Sequence, residues 1–392
     1  MIELGWGTRP LSLELPPDVE AEVLELPVPP HVPDLDAALQ AALDAPIGAR
    51  PLAEAAKGAR RAVIIVSDAS RDEPRAELYR AARRALAGIP PERITLAVAN
   101  GTHGPAPLDR LGLPPEALRE HPVVNHDARD ESAMVEIGRT ARGTRVRVHR
   151  CVVDADLVVG TGRVKPHYFA GFGGGAKAVF PGLGHDTDVR QNHLLKAEPA
   201  SALGRVDGNP CRDDIEEAVR LLGRECHLLD VVEISGAILG AVAGDLVAAH
   251  REGVRLARPW CEARARKADV VVVSAPVPVS GSLYQASKLV VPAGMLLREG
   301  GVVVLAAECP LGVGPLKVVN EGIFRLGVRR SLPERYRLLL ASAMPEATVL
   351  ETYAEYATSL EAAVAEARRA TGAGARWLVL PDGGDLVPVV EP

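Results

Sequence analysis

Several features that the sequence has little of narrow the classes of protein to which it can belong. Aromatic residues make up only 3% of the 392 residues and no basic tract occurs, so little in the chain would stack on bases or hold a phosphate backbone. Its apolar runs are all well short of the ~20 residues that a transmembrane helix needs. We therefore expect no nucleic-acid binding, no membrane span and a cytoplasmic location.

Reactive side chains are also scarce. The five cysteines are far apart and include no C-x-x-C pair, which is not the pattern of a disulfide framework. Only 7 of the 45 basic residues are lysines. Because an amine can lose its proton and attack a carbonyl carbon, whereas a guanidinium keeps its proton, each of these lysines is a candidate for covalent chemistry.

What the chain does contain is a regular alternation of short Val/Ile/Leu-rich runs with stretches of helical spacing. Near-continuous apolar runs are typical of strands covered on both faces, so the pattern predicts an α/β fold with mainly parallel sheets flanked by helices. The expected strands are Ala62–Val66, Ile94–Ala99, Arg145–His149, Leu157–Val159, His227–Ile234, Val270–Ser274, Val302–Leu305, Thr348–Glu351 and Trp377–Leu380. The expected helices are Arg75–Ala87, Cys211–Leu222, Leu246–Lys267, Leu332–Ser342 and Ser359–Thr371.

The domain boundary is expected near residue 260. The helical stretch Leu246–Lys267 precedes a fresh strand and is typical of a bridge between two α/β units. We therefore expect two α/β domains, residues 1–260 and residues 261–392. Residues 377–392 are expected either to form a final hairpin or to pack back on the first domain.

Polar residues that follow apolar runs are the first candidates for a site, because ligands of open parallel sheets bind beyond the carboxyl ends of strands. Asp68 and Arg71 follow one expected strand, although a helix N-cap with a local ion pair would explain them as well. His103 follows the next strand, in a Gly-Thr-His-Gly-Pro turn. A lone histidine in a turn is usually a surface residue, but its position at a strand end favours function.

The densest candidate segment is residues 160–182, GTGRVKPHYFAGFGGGAKAVFPG. Gly173, Gly174 and Gly175 would let backbone N–H groups approach an anion at the start of a helix, which predicts a phosphate cradle for a cofactor. The segment matches neither the G-x-x-x-x-G-K-[ST] loop nor the G-x-G-x-x-G fingerprint. Tight packing is the alternative reason for its glycines.

Histidines and a lysine accompany this segment: His167 and Lys177 lie inside it and His193 follows it. Because these reactive side chains accompany the glycines, tight packing alone is a poor explanation of the segment. A zinc hydrolase would need a closer ligand pair such as H-x-x-x-H, and a nicotinamide dehydrogenase would need the dinucleotide fingerprint, so neither class fits well.

A second candidate segment begins the helix after the first strand of the expected C-terminal domain. Tyr284 and Lys288 are four residues apart and share a helix face, and Gln285 lies beside them. The alternative is an ordinary solvated helix start. The scarcity of lysine in this chain favours function.

Together, the segments SDASR, ANGTHGP, KPHYFAGFGGGAKAVFPG, LYQASK and the C-terminal PDGG resemble the lactate racemase family, the nickel-pincer-nucleotide enzymes. The resemblance covers nearly the whole chain, and HYFAGFGGGAK is its most specific part. It implies a two-domain α/β racemase or epimerase that acts on a 2-hydroxy acid. It also implies dependence on the enzymes that make the cofactor.

The resemblance assigns roles to matching positions. Lys177 would hold the pyridinium cofactor covalently through a thioamide, and His193 would complete square-planar nickel. His103 and His167 would be the two acid/base residues on opposite faces of the substrate. Asp68 would orient a histidine or bind the cofactor ribose.

Four further side chains would lie near the substrate or the cofactor phosphate: Arg71, Tyr284, Gln285 and Lys288. Because Lys177 and Lys288 fall on opposite sides of the expected boundary, we expect the active site to lie in the cleft between the domains.

The implied reaction is proton-coupled hydride transfer. One imidazole removes the hydroxyl proton while the Cα hydride passes to the cofactor, and the hydride then returns to the other face of the keto acid. Lactate is the default substrate. The alternatives are an epimerase of a larger polyhydroxy acid and a non-catalytic paralogue that binds or carries the cofactor; the presence of both His103 and His167 favours an enzyme.

Overall fold

The structure is a computed structural model that describes all 392 residues. The chain divides into two compact units. Residues 29–259 form the first, here called the central unit. Residues 1–28 and 260–392 form the second, here called the terminal unit. The division after residue 259 lies close to the expected boundary. Residues 1–28 were expected in the first domain but group with the C-terminal part of the chain. Residues 377–392 stay in the C-terminal part, where they neither return to the first domain nor form a hairpin, because Trp377–Leu380 and Val387–Glu391 each pair with another strand.

Twenty strands and twelve α-helices make up the two units. The strands are β1 (Ile2–Trp6), β2 (Arg9–Leu13), β3 (Ala21–Val23), β4 (Ala62–Ser67), β5 (Ile94–Ala99), β6 (Val123–Asn125), β7 (Met134–Arg139), β8 (Arg145–His149), β9 (Leu157–Val164), β10 (Pro166–His167), β11 (Gly171–Phe172), β12 (Glu225–Ile234), β13 (Ala237–Asp245), β14 (Glu262–Arg266), β15 (Ala268–Ser274), β16 (Leu297–Ala306), β17 (Tyr336–Ala341), β18 (Glu355–Ala357), β19 (Trp377–Leu380) and β20 (Val387–Glu391). The α-helices are α1 (Leu35–Asp44), α2 (Leu52–Gly58), α3 (Arg75–Ala85), α4 (Pro115–Glu120), α5 (Arg150–Asp154), α6 (Asp186–Leu194), α7 (Pro210–Arg220), α8 (Ala248–Cys261), α9 (Leu283–Ala286), α10 (Val290–Met295), α11 (Glu346–Leu350) and α12 (Leu360–Thr371). Residues Val318–Val328 form a π-helical segment.

The central unit is built on a six-stranded sheet with the order β13-β12-β9-β4-β5-β6. All neighbours in it are parallel except the β12–β13 hairpin pair. Helices α1 and α3 pack on one face of the sheet. Buried residues of these two helices form one hydrophobic core with residues of β4, whose apolar run is buried. Burial on both faces explains why this strand reads as a continuous apolar run.

The terminal unit contains a second six-stranded sheet, with the order β18-β17-β16-β15-β19-β3, in which every pair is parallel. Its core includes Leu4 and Leu13 from the N-terminal hairpin, together with Trp377 of β19 and Val364 of α12. The N-terminal residues belong to this unit because β3 pairs with β19 and the hairpin side chains fill its core. The prediction of an α/β fold with parallel sheets flanked by helices is confirmed.

Two expected elements are wrong and a third is too long. Residues 332–342 were expected to be helical, but Tyr336–Ala341 is the strand β17. Thr348–Glu351 was expected to be a strand, but residues 346–350 form α11. The expected helix Leu246–Lys267 ends at Cys261, and residues 262–266 form β14. No helix in the chain combines the length and the apolar character that crossing a bilayer requires.

Candidate active site

Three neighbouring strands of the central unit lead into the candidate site. β9, β4 and β5 lie side by side and parallel, so their carboxyl ends meet at one edge of the sheet. Asp68 directly follows β4, and His103 lies in the turn after β5. His167 and Lys177 follow β9. The topology therefore gathers four sequence-selected residues at one sheet edge.

His103 and Asp68 form a hydrogen-bonded pair, with 3.3 Å between Nδ1 and Oδ2. Asp68 is buried, whereas the His103 side chain is 46% exposed. Burial alone would raise the pKa of Asp68, but hydrogen bonds from His103 and from Ser70 and the charge of Arg71 hold that pKa well below its ordinary value. The ionised carboxylate accepts a hydrogen bond from Nδ1–H of His103, which leaves the lone pair of the ring on Nε2.

The turn that carries Asp68 and Arg71 is fixed by Arg75, a buried residue that sequence reasoning missed. Its guanidinium donates to the carbonyl oxygens of Ser67 at 3.0 Å, Leu111 at 3.1 Å and Asp68 at 2.5 Å, and also to that of Arg71. No sequence signal marks it, because its acceptors come together only in the fold.

The ring of Phe169 lies at the centre of the site in the central unit. The imidazoles of His167 and His193 approach it edge-on, with ring centroids 4.6 Å and 5.1 Å away. The Nζ atoms of Lys177 and Lys196 lie 5.7 Å and 5.8 Å from its centroid. The structure thus brings His167, Lys177 and His193 together. It adds Lys196, which the scarcity of lysine could have identified.

His193 is held in a form that can bind a metal. Its Nδ1 is shielded from solvent and makes no hydrogen bond. Burial, together with the charges of Lys196 and Lys177, lowers the pKa of His193 to about 3. The ring is therefore neutral at physiological pH and retains a lone pair for a ligand. The charge of His103 also lowers this pKa, which puts His103 in the same electrostatic neighbourhood.

Packing inside the protein shapes the glycine-rich loop. The N–H of Gly173 donates to the carbonyl of Lys165 at 2.7 Å, and the N–H of Gly175 donates to Asp230 Oδ2 at 2.9 Å. Gly174 has a φ of +74°, and a Cβ there would overlap the carboxyl of Asp230. The expected phosphate cradle is therefore not formed by Gly173 and Gly175, because their N–H groups already have partners.

Three buried side chains that were not selected from the sequence hold the carbonyl oxygens of this loop. They come from α7, α8 and the residue before α7. The Asn209 amide donates to the carbonyl of Phe169 at 2.9 Å, and His250 Nε2 lies 2.8 Å from the carbonyl oxygen of Gly173. The Arg212 guanidinium donates to the carbonyls of Ala170 at 3.3 Å and Gly174 at 3.2 Å, and also to that of Phe172. Sequence spacing could not reveal them, because the helices lie far from the loop along the chain.

The other selected segment belongs to the terminal unit, where α9 and the following turn bring three side chains together. The Lys288 Nζ donates to Gln285 Oε1 and lies 5.5 Å from the ring centroid of Tyr284. Ser287 Oγ lies 2.7 Å from the hydroxyl of Tyr353, and this partly buried contact anchors the segment. The expected position of these residues in a cleft between the domains stays a prediction.

The cysteines and the metal-ligating side chains add no separate centre. None of the five cysteines forms a disulfide. No group of three or more His, Cys, Asp or Glu side chains could hold a metal ion.

Comparison with known proteins identifies the relatives of the chain. The model of the lactate racemase N-terminal domain matches residues 6–204, just over half of the chain. The lactate racemase of Thermoanaerobacterium thermosaccharolyticum is 28% identical over 83% of this chain and 77% of its own length. The lactate racemase of Lactiplantibacillus plantarum is 26% identical over 88% of this chain and 89% of its own length. The solved apoprotein of lactate racemase from T. thermosaccharolyticum superposes with a TM-score of 0.87 at 24% identity, covering 99% of both chains.

Proposed function

Because the chain belongs to the lactate racemase family and is an isomerase, we propose that it racemises a small 2-hydroxy acid of the lactate type. The observation that carries this proposal is the cluster around Phe169. It combines an amine, Lys177, with two imidazoles, His167 and His193, and the Asp68–His103 pair lies in the same neighbourhood.

A nickel-pincer nucleotide is the cofactor that we propose for this site. The residues present fit it: the His193 ring is neutral, its shielded Nδ1 makes no hydrogen bond, and imidazole is a good fourth ligand for square-planar nickel. Lys177 supplies the amine for covalent attachment. When bound, the nucleotide supplies an acceptor and donor for the Cα hydride of the substrate.

His103 and His167 are the proposed acid/base residues. The Asp68 carboxylate keeps the proton of neutral His103 on Nδ1, so Nε2 can take the proton of the 2-hydroxyl group. The Nδ1 of His167 lies 3.3 Å from the N–H of Ala170, a contact that fixes the ring orientation. Inversion at one carbon needs a proton partner on each face of the substrate, which is why two imidazoles are required.

Cationic and polar side chains are proposed to bind the substrate carboxylate and the cofactor phosphate. Arg71 presents a planar fork suited to a carboxylate, and Lys288 presents a point charge. Tyr284 and Gln285 accompany Lys288 on its segment. Since two glycine N–H groups have partners within the protein, these side chains are the better candidates for the anionic groups.

The covalent attachment is tested by the mass of the intact protein. Three proteins are produced in the cytoplasm of cells that also express the cofactor-biosynthesis enzymes: the wild type, Lys177→Ala and Lys57→Ala. Lys57 is exposed, and its variant is the control. We expect an adduct and nickel-dependent racemisation in the wild type and the control, and neither in Lys177→Ala. An adduct that persists in Lys177→Ala would remove this residue from its role.

The acid/base roles are tested by kcat. His103→Ala and His167→Ala should each lower kcat by roughly 10²-fold to 10⁴-fold while the adduct mass is unchanged. The exposed residue His31 provides the control, and His31→Ala should retain full activity. Unchanged turnover in either active-site variant would exclude that histidine. A panel of larger polyhydroxy acids, assayed beside lactate, identifies the substrate.

A further inference from the structure

Lys196 is a buried residue of the candidate site to which the proposed chemistry gives no role. It lies in the short turn Leu195–Ala197, directly after the helix α6 that carries His193. Lys196 is only 7% exposed, and its Nζ lies 5.8 Å from the ring centroid of Phe169, almost the same distance as the Nζ of Lys177. A chain with only 7 lysines therefore places two amines beside one aromatic ring.

Hydrogen bonds fix the turn that carries Lys196. The buried Ser201 donates from Oγ to the carbonyl of Leu195 at 2.8 Å, and the same Oγ accepts the N–H of Cys211 on α7 at 3.3 Å. Helix α7 also carries Arg212, whose guanidinium donates to carbonyls of the glycine-rich loop. The same helix therefore holds both segments that carry the two amines.

The charges that act on His193 are all of one sign. Beyond burial, the charges that shift the pKa of His193 are those of Lys196, Lys177 and His103, and each of them lowers it. Two of the three are lost in the proposed function, because His103 acts as a neutral ring and acylation removes the charge of the Lys177 amine. Lys196 is then the lysine that keeps its charge beside Phe169.

The position of Lys196 indicates which kind of anion it can bind. In a nucleotide the ribose separates the phosphate from the ring, so the phosphate does not lie at the end that is attached to Lys177. The anions at that end are carboxylates: the carboxylate of a 2-hydroxy acid and the acid group on the ring. A lysine ammonium is a compact charge that binds a carboxylate through a charge-assisted hydrogen bond. Contact with the face of Phe169 stabilises the ammonium while it is buried.

We propose that Lys196 binds a carboxylate at the reactive end of the site, either that of the substrate or that on the pyridinium ring. The identity of these two ligands rests on the proposed function, whereas the presence of a carboxylate site at Lys196 does not. If Lys196 only packs against Phe169, its charge is dispensable for binding.

Binding of small carboxylates to the full chain without cofactor tests this site. The probes are lactate, which represents the substrate, and pyridine-3-carboxylate, which represents the ring, and calorimetric titration gives their Kd. All variants are made in a Lys177→Ala background, which removes the charge that attachment would remove. In this background Lys196→Met should weaken binding of at least one probe by roughly tenfold, because a charge-assisted hydrogen bond is lost. Lys196→Arg keeps the charge and should retain most of the affinity.

The two probes separate the sources of the carboxylate. A loss for lactate alone assigns Lys196 to the substrate, and a loss for pyridine-3-carboxylate alone assigns it to the ring. A loss for both shows one position that accepts either carboxylate. The matched control is Lys57→Met, an exposed lysine in the same unit, which should bind both probes as the background does. Ribose 5-phosphate, a phosphate without a carboxylate, should be insensitive to Lys196→Met.

Unchanged affinity for both carboxylates in Lys196→Met would overturn the proposal, and so would a larger loss for ribose 5-phosphate than for either carboxylate. The absence of saturable binding of both carboxylates to the Lys177→Ala chain would also contradict it. If Lys196→Met does not fold, Lys196→Gln, which is neutral as well, is measured in its place.

A measurement on the cofactor-loaded chain separates this inference from the proposed function. With Lys177 intact, Lys196→Met should raise the KM of lactate by roughly tenfold at unchanged adduct mass if Lys196 binds the substrate. If Lys196 binds the ring, the adduct on Lys177 should form more slowly instead. If the wild type acquires no adduct, the proposed function fails, and the probe affinities still decide whether Lys196 binds a carboxylate.

Discussion

Histidines of the central unit show how their surroundings set the chemistry of one side-chain type. His103 is paired with an ionised carboxylate, which directs its proton to Nδ1. His193 is neutral with a shielded, unpartnered nitrogen, which suits a metal ligand. His126, away from the site, is fully buried, and its Nε2 lies 3.1 Å from the carbonyl of Gly184. The sequence identifies these residues as histidines, but only their neighbours separate the three roles.

His126 makes the stability of the chain depend on pH. Burial lowers its pKa to about 4, from about 6.5 in the unfolded chain, although the contact with Gly184 opposes the shift. A depressed pKa means that the unfolded state binds the proton first, so stability from this residue is present above pH 6.5 and is lost as the pH falls towards 4. The loss is on the order of 3 kcal/mol.

The measurement is urea unfolding of the wild type and His126→Gln at pH 7.5 and at pH 4.5. At pH 7.5 the variant should be less stable by about 1–3 kcal/mol, because it loses a buried hydrogen bond. At pH 4.5 the difference in unfolding free energy should be smaller, because only the wild type is destabilised by protonation of a buried ring. A gap that is equal or larger at pH 4.5 would contradict this explanation.

At the scale of elements, the glycine-rich loop illustrates a motif whose sequence permits two explanations. Its glycines suit an anion cradle and also suit close packing, and the choice depends on what lies behind the loop. In the fold, Asp230 and the Arg212 guanidinium lie there and take up backbone N–H and carbonyl groups. The interior of the protein therefore accounts for Gly174 and Gly175 without a ligand.

Replacement of Gly174 separates backbone strain from this packing. Gly174 and Gly143 both have positive φ values, +74° and +85°, but a Cβ on Gly143 would meet nothing within 4 Å. Gly143→Ala should cost about 1–2 kcal/mol of unfolding free energy through strain alone. Gly174→Ala should cost at least about 2 kcal/mol more, because its Cβ overlaps Asp230. Equal losses in urea unfolding would show that the loop can give way.

The two wrong elements have the same kind of cause. The segment YRLLLA at 336–341 is rich in residues that favour helices, but it lies between β16 and β18 and pairs with both. Sheet pairing and burial override its local propensity. The β-branched residues around Thr348 favour a strand, yet this segment follows Pro345 and begins α11. Local preference is weak beside tertiary contacts, so short segments are where the sequence prediction fails.

At the scale of the whole molecule, the chain order hides which residues form one unit. The N-terminal hairpin contributes Leu4 and Leu13 to a core completed by residues 260–392. All three tryptophans, Trp6, Trp260 and Trp377, fall in this terminal unit, so tryptophan fluorescence reports on it alone.

One core substitution in each unit tests whether the two units unfold separately. Leu4→Ala should destabilise the terminal unit by about 2–5 kcal/mol and lower the urea midpoint of the fluorescence transition. Hydrogen exchange of β4 and β9 peptides should change little. The matched control is Leu39→Ala in the core of the central unit, which should accelerate exchange in β4 more than it moves the fluorescence midpoint. Identical responses in both variants would show a single cooperative unit.

By itself the sequence determined the α/β class, most of the buried strands, the family and the set of candidate site residues. Each of these depends on local apolar periodicity or on short, specific segments. Only the tertiary structure decided that the first 28 residues complete the second unit, that Phe169 gathers two lysines and two histidines, and that Asp230 and Arg212 support the loop. Such contacts join residues far apart in the chain, and their energies arise from burial and charge that exist only after the sheets have formed.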